Sequence, residues 1–395
     1  MVCPAALSCG LCDLDVPADV YGASVASPEP VLPSYGAACI DRVVAALLAP
    51  PGRRPGWIPG PALEASQLVF LLLDGLGWTQ LRDRLSLTPT LSRLAGGRIT
   101  SVVPSTTATA LTSISLSVPP AAHGVVGYRV RVDGPSGSEV LNVLRWRTVS
   151  GDARPFVPPA EFQPTPAFGG RSIPVVTRSE FLTSGFSAAH LSGSRQFGWA
   201  APSTLVVEVR RLLSAGEPFI YAYYDGLDKI AHLHGFGEYY DAELSAADRL
   251  VGDLIAVLPA AAALVVTADH GQVDVGARVR HLDPEILGAT ELVSGEGRFR
   301  WLHARPGAAE DVAVAAKERY GDEAWVRTVD ELDAEGWFGG KLSQAARHRL
   351  GDVALVPHRP VAYLDPLDQG DARLVCRHGS LTDDEMYVPL LAVGA

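Results

Sequence analysis

Residues 67–77 read Gln67-Leu-Val-Phe-Leu-Leu-Leu73-Asp74-Gly75-Leu76-Gly77. A continuous apolar run closed by breakers suits a strand buried on both faces, as in a parallel sheet. Two more runs end the same way. Pro218–Tyr224 (PFIYAYY) is followed by Asp225, and Ala263–Ala268 (ALVVTA) by Asp269-His270-Gly271. Between them, Glu238–Leu258 has the spacing of a long amphipathic helix. Strand–helix alternation predicts an α/β fold: a doubly wound, mostly parallel central sheet flanked by helices. Ligands bind such sheets outside the carboxyl ends of the strands. Asp74 and Asp269 stand there, although an Asp after a strand serves equally as a helix cap or turn residue.

The second informative stretch is Ile99–Tyr128, ITSVVPSTTATALTSISLSVPPAAHGVVGY. A β-branched run turns at Pro104, releases Ser105, Thr106 and Thr107, and enters a segment to about Leu116 that reads as a helix. A hydroxyl at a helix N-terminus has unpaired N–H groups beside it, and these hold phosphate. The simpler alternative is an N-cap.

Composition narrows the function. The chain has 395 residues, 47% hydrophobic, with 33 Lys and Arg against 44 Asp and Glu, a net charge of −11. It can bury a large core. An acidic surface argues against a polymeric nucleic acid partner, but not against a small phosphate-containing substrate, since a metal supplies positive charge locally. The five Cys are odd in number and form no disulfide framework. Cys9-Gly-Leu-Cys12 is a lone C-x-x-C. No run of about 18 apolar residues exists, and no Lys or Arg precedes Arg42, so neither a membrane span nor a secretion signal is expected. A cytoplasmic location is the expectation; the oligomeric state is not legible.

Residues 1–33 read as an extended arm. From 34 to 395 the chain reads as one catalytic domain with insertions at about 129–201 and 280–350. The first is rich in Gly, Pro, Ser and Thr. The second alternates strand (298–304), helix (309–320) and strand (325–329), a small α+β insert. Pro89–Leu94 reads as helical, and Asp352–Leu364 as a return to core strands.

The residues that carry chemistry cluster at the predicted strand ends. Asp228 and His232, four apart, share one face of a helix and can grip one metal, or form an ordinary helix pair. Asp269 and His270 are adjacent at a strand end, and His378 precedes a Gly in a similar setting. With Asp74 and Thr107 they make seven positions, enough for two sites, in the mixture of carboxylate and imidazole that zinc accepts.

The order D-G, P-S-T-T, H-G, D-x-x-x-H, A-D-H-G, H-G resembles the alkaline phosphatase superfamily, most closely its nucleotide pyrophosphatase/phosphodiesterase branch, over roughly residues 67–395. The resemblance implies an alkaline phosphatase-like domain. Pro104-Ser-Thr-Thr107 matches the family's nucleophile motif, with His123-Gly124 at the fitting distance, so it implies Thr107 as nucleophile. It further implies two Zn2+, or another divalent metal. One would be held by Asp74, Asp269, His270 and Thr107, the other by Asp228, His232 and His378. The implied activity is hydrolysis of phosphodiester or pyrophosphate bonds in small, nucleotide-type molecules through a phospho-threonine. A phosphomonoesterase, or a phosphonate C–P hydrolase on the same metals, is the alternative. A non-catalytic metal-binding protein is the third reading, and retention of all seven positions speaks against it. One position departs from the pattern. The family's phosphate-holding Asn is replaced by Tyr128, whose phenol offers one donor.

Overall fold

The computed structural model describes residues 28–368 and 371–395. Most of the expected arm, with Cys3, Cys9 and Cys12, lies outside them. Residues 28–33 rest on the domain: Val31 N–H donates to the Leu381 carbonyl (2.9 Å) and Trp325 Nε1–H to that of Pro28 (2.7 Å).

Seven strands form the central sheet: β1 (Gln67–Leu73), β2 (Ala95–Thr100), β3 (Pro174–Arg178), β4 (Arg195–Trp199), β5 (Phe219–Tyr224), β6 (Ala262–Thr267) and β7 (Tyr387–Gly394). Their order is β2-β7-β6-β1-β5-β3-β4. β7 runs antiparallel to both of its neighbours, β2 and β6, and every other pairing in the sheet is parallel. Central β1 is flanked by β6 and β5, both parallel to it. Leu68–Leu73 are all buried, as the unbroken apolar run requires. Each such side chain contributes about 1.5–3 kcal/mol on burial. The register sets Leu72 opposite Thr267 and Leu73 opposite Tyr224. The three strands therefore end level, and the chain leaves them side by side at Asp74, Asp225 and Ala268-Asp269.

Two differences from the sequence reading concern the insertions. Residues 129–201 are not one addition over the sheet. A meander of Arg129–Gly134, Gly137–Asn142, Arg147–Thr148 and Gly151–Asp152 forms a separate small sheet, but β3 and β4 belong to the central one. These two strands are five residues each, embedded in Gly- and Ser-rich chain, and β4 is a partly exposed edge. Half-exposed β4 has no continuous apolar run to show, and β3, though buried, has an apolar run that is short. The second insert is larger than its sequence span. Val353–Pro357, read as core, lies between Phe299–Ala304 and Ala324–Thr328 in a four-stranded antiparallel sheet with Thr290–Glu296 at its edge. Helix Ala309–Tyr320 covers this sheet over its own core of Leu302, Val312, Ala316, Leu355 and Tyr363. Pro89–Leu94 holds only a 3-10 turn, Leu91–Arg93.

A buried ion pair fastens this insert to the sheet. Arg298 forks onto Glu385 (Nε–Oε1 3.0 Å, Nη2–Oε2 2.6 Å), with both side chains wholly inaccessible. Its remaining donors go to the carbonyls of Pro357, Arg359 and Val361. Among the described residues no helix is long and apolar enough to cross a membrane.

Candidate active site

The level ends of β6, β1 and β5 bring three carboxylates together. Asp74 follows β1 directly. Asp228 lies in the first turn of helix Gly226–His234, and its N–H donates to the Asp74 carbonyl (3.1 Å), which ties that turn to β1. Asp269 follows β6; its Oδ1 accepts from Gly75 N–H (3.1 Å). Gly75 has φ +76°, and a Cβ there would stand 2.6 Å from Gln272 Nε2 and 3.0 Å from Asp228 Cα. Only glycine allows the turn to pass this close.

Three imidazoles face the carboxylates. His270 Nε2 is 3.5 Å from Asp74 Oδ1 and 3.4 Å from Asp269 Oδ2. His232 Nε2 is 3.2 Å from Asp228 Oδ1, and His378 Nε2 is 3.8 Å from the same oxygen. The His270 and His378 rings stack at 3.6 Å. Each Nδ1 contacts a backbone carbonyl: His232 with Cys376 (2.7 Å), His270 with Gly271 (3.0 Å), His378 with Ser105 (3.0 Å). A carbonyl only accepts, so each Nδ1 carries a proton, and in the neutral ring Nε2 is the nitrogen left to ligate. Metal-ligating histidines are oriented in this way.

Thr107 opens helix Thr107–Leu116, and its Oγ1 lies 3.1 Å from His270 Nε2. Thr106 holds the N-cap position, yet its side chain makes no cap bond; it donates to Glu296 Oε2 (3.1 Å) in the insert. The hydroxyls at this helix start are therefore not spent on capping. Thr109 is buried inside the fold. His123 accepts at Nδ1 from Val125 N–H and meets Ser113 Oγ at Nε2 (2.8 Å), pinning the far half of the helix. His234 stacks on Tyr239, away from the cluster.

The donor set fits cations. Asp74 Oδ1 and Asp269 Oδ2 are buried and accept no hydrogen bond. Burial and the neighbouring carboxylates hold the Asp74 pKa well above the usual carboxylate range, and burial raises that of Asp269. Burial pushes the His378 pKa well down, with His270 beside it adding to the effect. Burial opposes the charge on Asp228 too, but His232, His378 and His270 outweigh it and pull its pKa down. Asp228 in turn outweighs burial at His232 and raises its pKa. Two groups have ligand atoms within 4.8 Å of one another: Asp74, Asp269 and His270; and Asp228, His270 and His378. The first group is the expected one. In the second, His270 stands where His232 is expected, while His232 Nε2 also faces Asp228 Oδ1, at 3.2 Å.

A cleft of about 420 Å3 leads to the cluster, bordered by Thr106, Thr107, Tyr128, Asp228, His232 and His378. Tyr128 thus stands at the site, but with a partner the sequence did not reveal. Asn142 Nδ2, from the meander, donates to the Tyr128 phenol oxygen (2.6 Å). The phenol proton remains available as a donor, and burial pushes its ionisation up, so it stays protonated. Arg145, Glu296, Asp368 and Arg377 add charged groups of both signs to the wall. Tyr223 and Gln272 were also missed. The Tyr223 hydroxyl donates to Asp74 Oδ2, and Gln272 Nε2 to Asp228 Oδ1 (2.9 Å). Two of these carried a faint signal: Tyr223 points to the same face as Tyr221 just before a strand-end Asp, and Gln272 directly follows Asp269-His270-Gly271. Glu296 and Asn142 carried none.

The family model for type I phosphodiesterase/nucleotide pyrophosphatase matches residues 68–381. The chain belongs to this family. The family is metal-dependent, and the chain is an enzyme of its phosphodiesterase/pyrophosphatase type. A search of curated proteins finds no match. Among solved structures, murine ectonucleotide pyrophosphatase/phosphodiesterase 5 is similar at a TM-score of 0.62 and 14% identity, over 82% of this chain and 87% of that one. The same murine protein has been solved as an inactive variant in complex with AMP (TM-score 0.61, 14% identity, 82% and 87% coverage). Phosphonoacetate hydrolase from Sinorhizobium meliloti 1021, in complex with phosphonoformate, is similar at 0.59 and 20% identity, over 87% of this chain and 92% of that one. At these identities the likeness is one of fold, the alkaline phosphatase-like α/β sheet expected from the sequence.

Proposed function

We propose that this protein hydrolyses phosphodiester or pyrophosphate bonds in small, nucleotide-type molecules, with Thr107 as nucleophile and two divalent cations held by the clusters around it. The observation that carries the reading is the place of Thr107 Oγ1: 3.1 Å from His270 Nε2, at a helix N-terminus, beside two buried carboxylate oxygens that accept no hydrogen bond. Asp74, Asp269, His270 and Thr107 would hold one cation, and Asp228, His232 and His378 the other; zinc suits this donor set. When bound, the cations supply Lewis acidity for a hydroxyl and a departing oxygen. Thr107 Oγ1 stands 3.1 Å from His270 Nε2, so the hydroxyl oxygen lies beside an atom that would hold the same cation. The N–H groups at the start of helix Thr107–Leu116 face the phosphoryl oxygens. Tyr128, with its oxygen engaged by Asn142, donates its proton to one of them. Thr107 Oγ1 forms the bond to phosphorus as the phosphorus–ester oxygen bond breaks; the hydroxyl proton passes to solvent, and the leaving oxygen departs as an anion that solvent protonates. Water then cleaves the phospho-threonine and returns the hydroxyl.

The test combines metal content with a substrate screen. Purified protein is expected to carry close to two zinc ions per chain, and to lose and regain hydrolysis of bis(p-nitrophenyl) phosphate on chelation and zinc addition. Full activity after exhaustive chelation, with no metal detected, would contradict the reading. Cleavage of a phosphonate C–P bond is the second reading, favoured by the phosphonoacetate hydrolase fold. Release of inorganic phosphate from phosphonoacetate, faster than hydrolysis of the diester, would select it.

A further inference from the structure

The two carboxylates that follow β1 and β6 are held in one pattern. Asp269 Oδ1 accepts from two backbone donors, Gly75 N–H and His270 N–H, at 3.1 Å each. Asp74 Oδ2 accepts from the Tyr223 hydroxyl. The other oxygen of each, Asp269 Oδ2 and Asp74 Oδ1, is buried and accepts no hydrogen bond from the described residues. These two oxygens face one atom: His270 Nε2 stands 3.4 Å from the first and 3.5 Å from the second. Thr107 Oγ1 is 3.1 Å from the same nitrogen. Each of the four residues thus turns a single donor atom to the cluster, and the spare oxygen of each carboxylate is engaged elsewhere.

Of the donors that engage the spare oxygens, only the Tyr223 hydroxyl belongs to a side chain, and it is firmly placed. Tyr223 is buried on β5, between β1 and β3. Its ring lies 6.2 Å from that of Phe181, and its carbonyl accepts from Trp199 Nε1–H (3.1 Å). A carboxylate with one oxygen held by a fixed donor offers the other alone. Zinc takes few donors, nitrogen and oxygen mixed, in this way. Calcium gathers about six to eight oxygens, and takes both oxygens of a carboxylate where they are open to it.

We propose that Tyr223 is a positioning residue that sets the choice of cation in the cluster of Asp74, Asp269, His270 and Thr107. By holding Asp74 Oδ2 it confines Asp74 to one ligand oxygen, which favours a four-coordinate cation of the zinc type over an oxygen-seeking cation of the calcium type. The inference rests on the two-cation reading of the site.

Tyr223→Phe removes one oxygen atom and leaves the ring in place. Calorimetry of the purified full chain gives the affinities for Zn2+ and Ca2+, with a competing chelator for zinc. The variant is expected to bind Zn2+ about 10- to 100-fold more weakly, the usual loss when the partner of a ligand is removed, while Ca2+ binds equally or more tightly. The ratio of the two dissociation constants then shifts by about tenfold or more. Replacing Tyr223 by p-aminophenylalanine, whose N–H donates from the same place, should restore the wild-type ratio. A ring that served only packing would weaken both cations alike. Parallel losses, a shift in the ratio below about tenfold, or a ratio that p-aminophenylalanine does not restore would overturn the assignment and leave the two-cation reading standing. A wild-type protein that takes up neither cation would overturn both.

Discussion

Glu385→Gln tests how firmly the insert is tied to the site. The substitution keeps the shape of the side chain and removes the charge that faces Arg298. In the protein Glu385 accepts both arms of the guanidinium fork, the Ser380 N–H at Oε1 (3.0 Å) and the Thr382 hydroxyl at Oε2 (2.6 Å). The glutamine amide places an N–H2 against a guanidinium N–H, donor against donor. With both side chains inaccessible, the guanidinium charge is left without its partner. Breaking a buried pair from one side costs about 3–5 kcal/mol. At a urea m-value of about 3 kcal/mol/M, the midpoint should fall by about 1–1.7 M. The assay is urea unfolding of the metal-loaded protein, read by circular dichroism and by fluorescence of Trp301 and Trp325 in the insert. Metal affinity should fall as well. The Glu385 carbonyl accepts the Gly271 N–H (2.9 Å) beside His270, and Glu385 closes the loop that begins at His378. Arg298→Met with Glu385→Gln should cost less than the sum of the two single changes. A midpoint shift below about 0.3 M, under about 1 kcal/mol, would refute the assignment of this pair as the anchor.

Thr107→Ala should lose turnover of bis(p-nitrophenyl) phosphate by about 1,000-fold or more while still binding metal; Thr107→Ser should retain measurable activity, and Thr106→Ala most of it, by steady-state assay. His232→Ala should remove chiefly one metal ion and Asp269→Ala chiefly the other, as read by metal analysis after gel filtration. Stability should fall on acidification below about pH 6.5. Burial lowers the pKa values of His123, His190 and His303 from 6.5 to about 3, 4 and 3, so the unfolded chain binds protons in this window that the folded chain does not. Each group then contributes a loss of up to about 1.4 kcal/mol per pH unit between its two pKa values. Replacing His303 by Gln should flatten the slope of unfolding free energy against pH between 6.5 and 4.5; an unchanged slope would contradict its neutral burial.

The parts legible in the sequence are those where one segment states its own environment. β1, β5 and β6 are buried on both faces, so their apolar runs are continuous; Asp74 and Asp269, which follow two of them, converge with Asp228 from the helix after β5, whereas Asp225 pairs with Arg178 (2.6 Å). The Asp228–His232 spacing and the Asp269-His270 pair needed only local geometry. β3 and β4 were not legible as central strands because they are short and lie toward one edge. Val353–Pro357 reads as core because it is core, but of the insert's own sheet; an apolar strand does not announce which sheet it joins. The contacts of Tyr128 with Asn142 and of Thr106 with Glu296 are made across 14 and 190 residues of chain. Such pairs depend on how the meander and the insert close over the sheet ends, which no local pattern encodes.

The central claim is that hydrolysis runs through two displacements, the first by Thr107. The stereochemical course at phosphorus tests it without requiring an intermediate to accumulate. One enantiomer of methyl p-nitrophenyl phosphorothioate, hydrolysed in 18O-labelled water, gives a methyl phosphorothioate whose configuration can be assigned. Two in-line displacements predict overall retention. Inversion, the outcome of direct attack by water, would contradict the account.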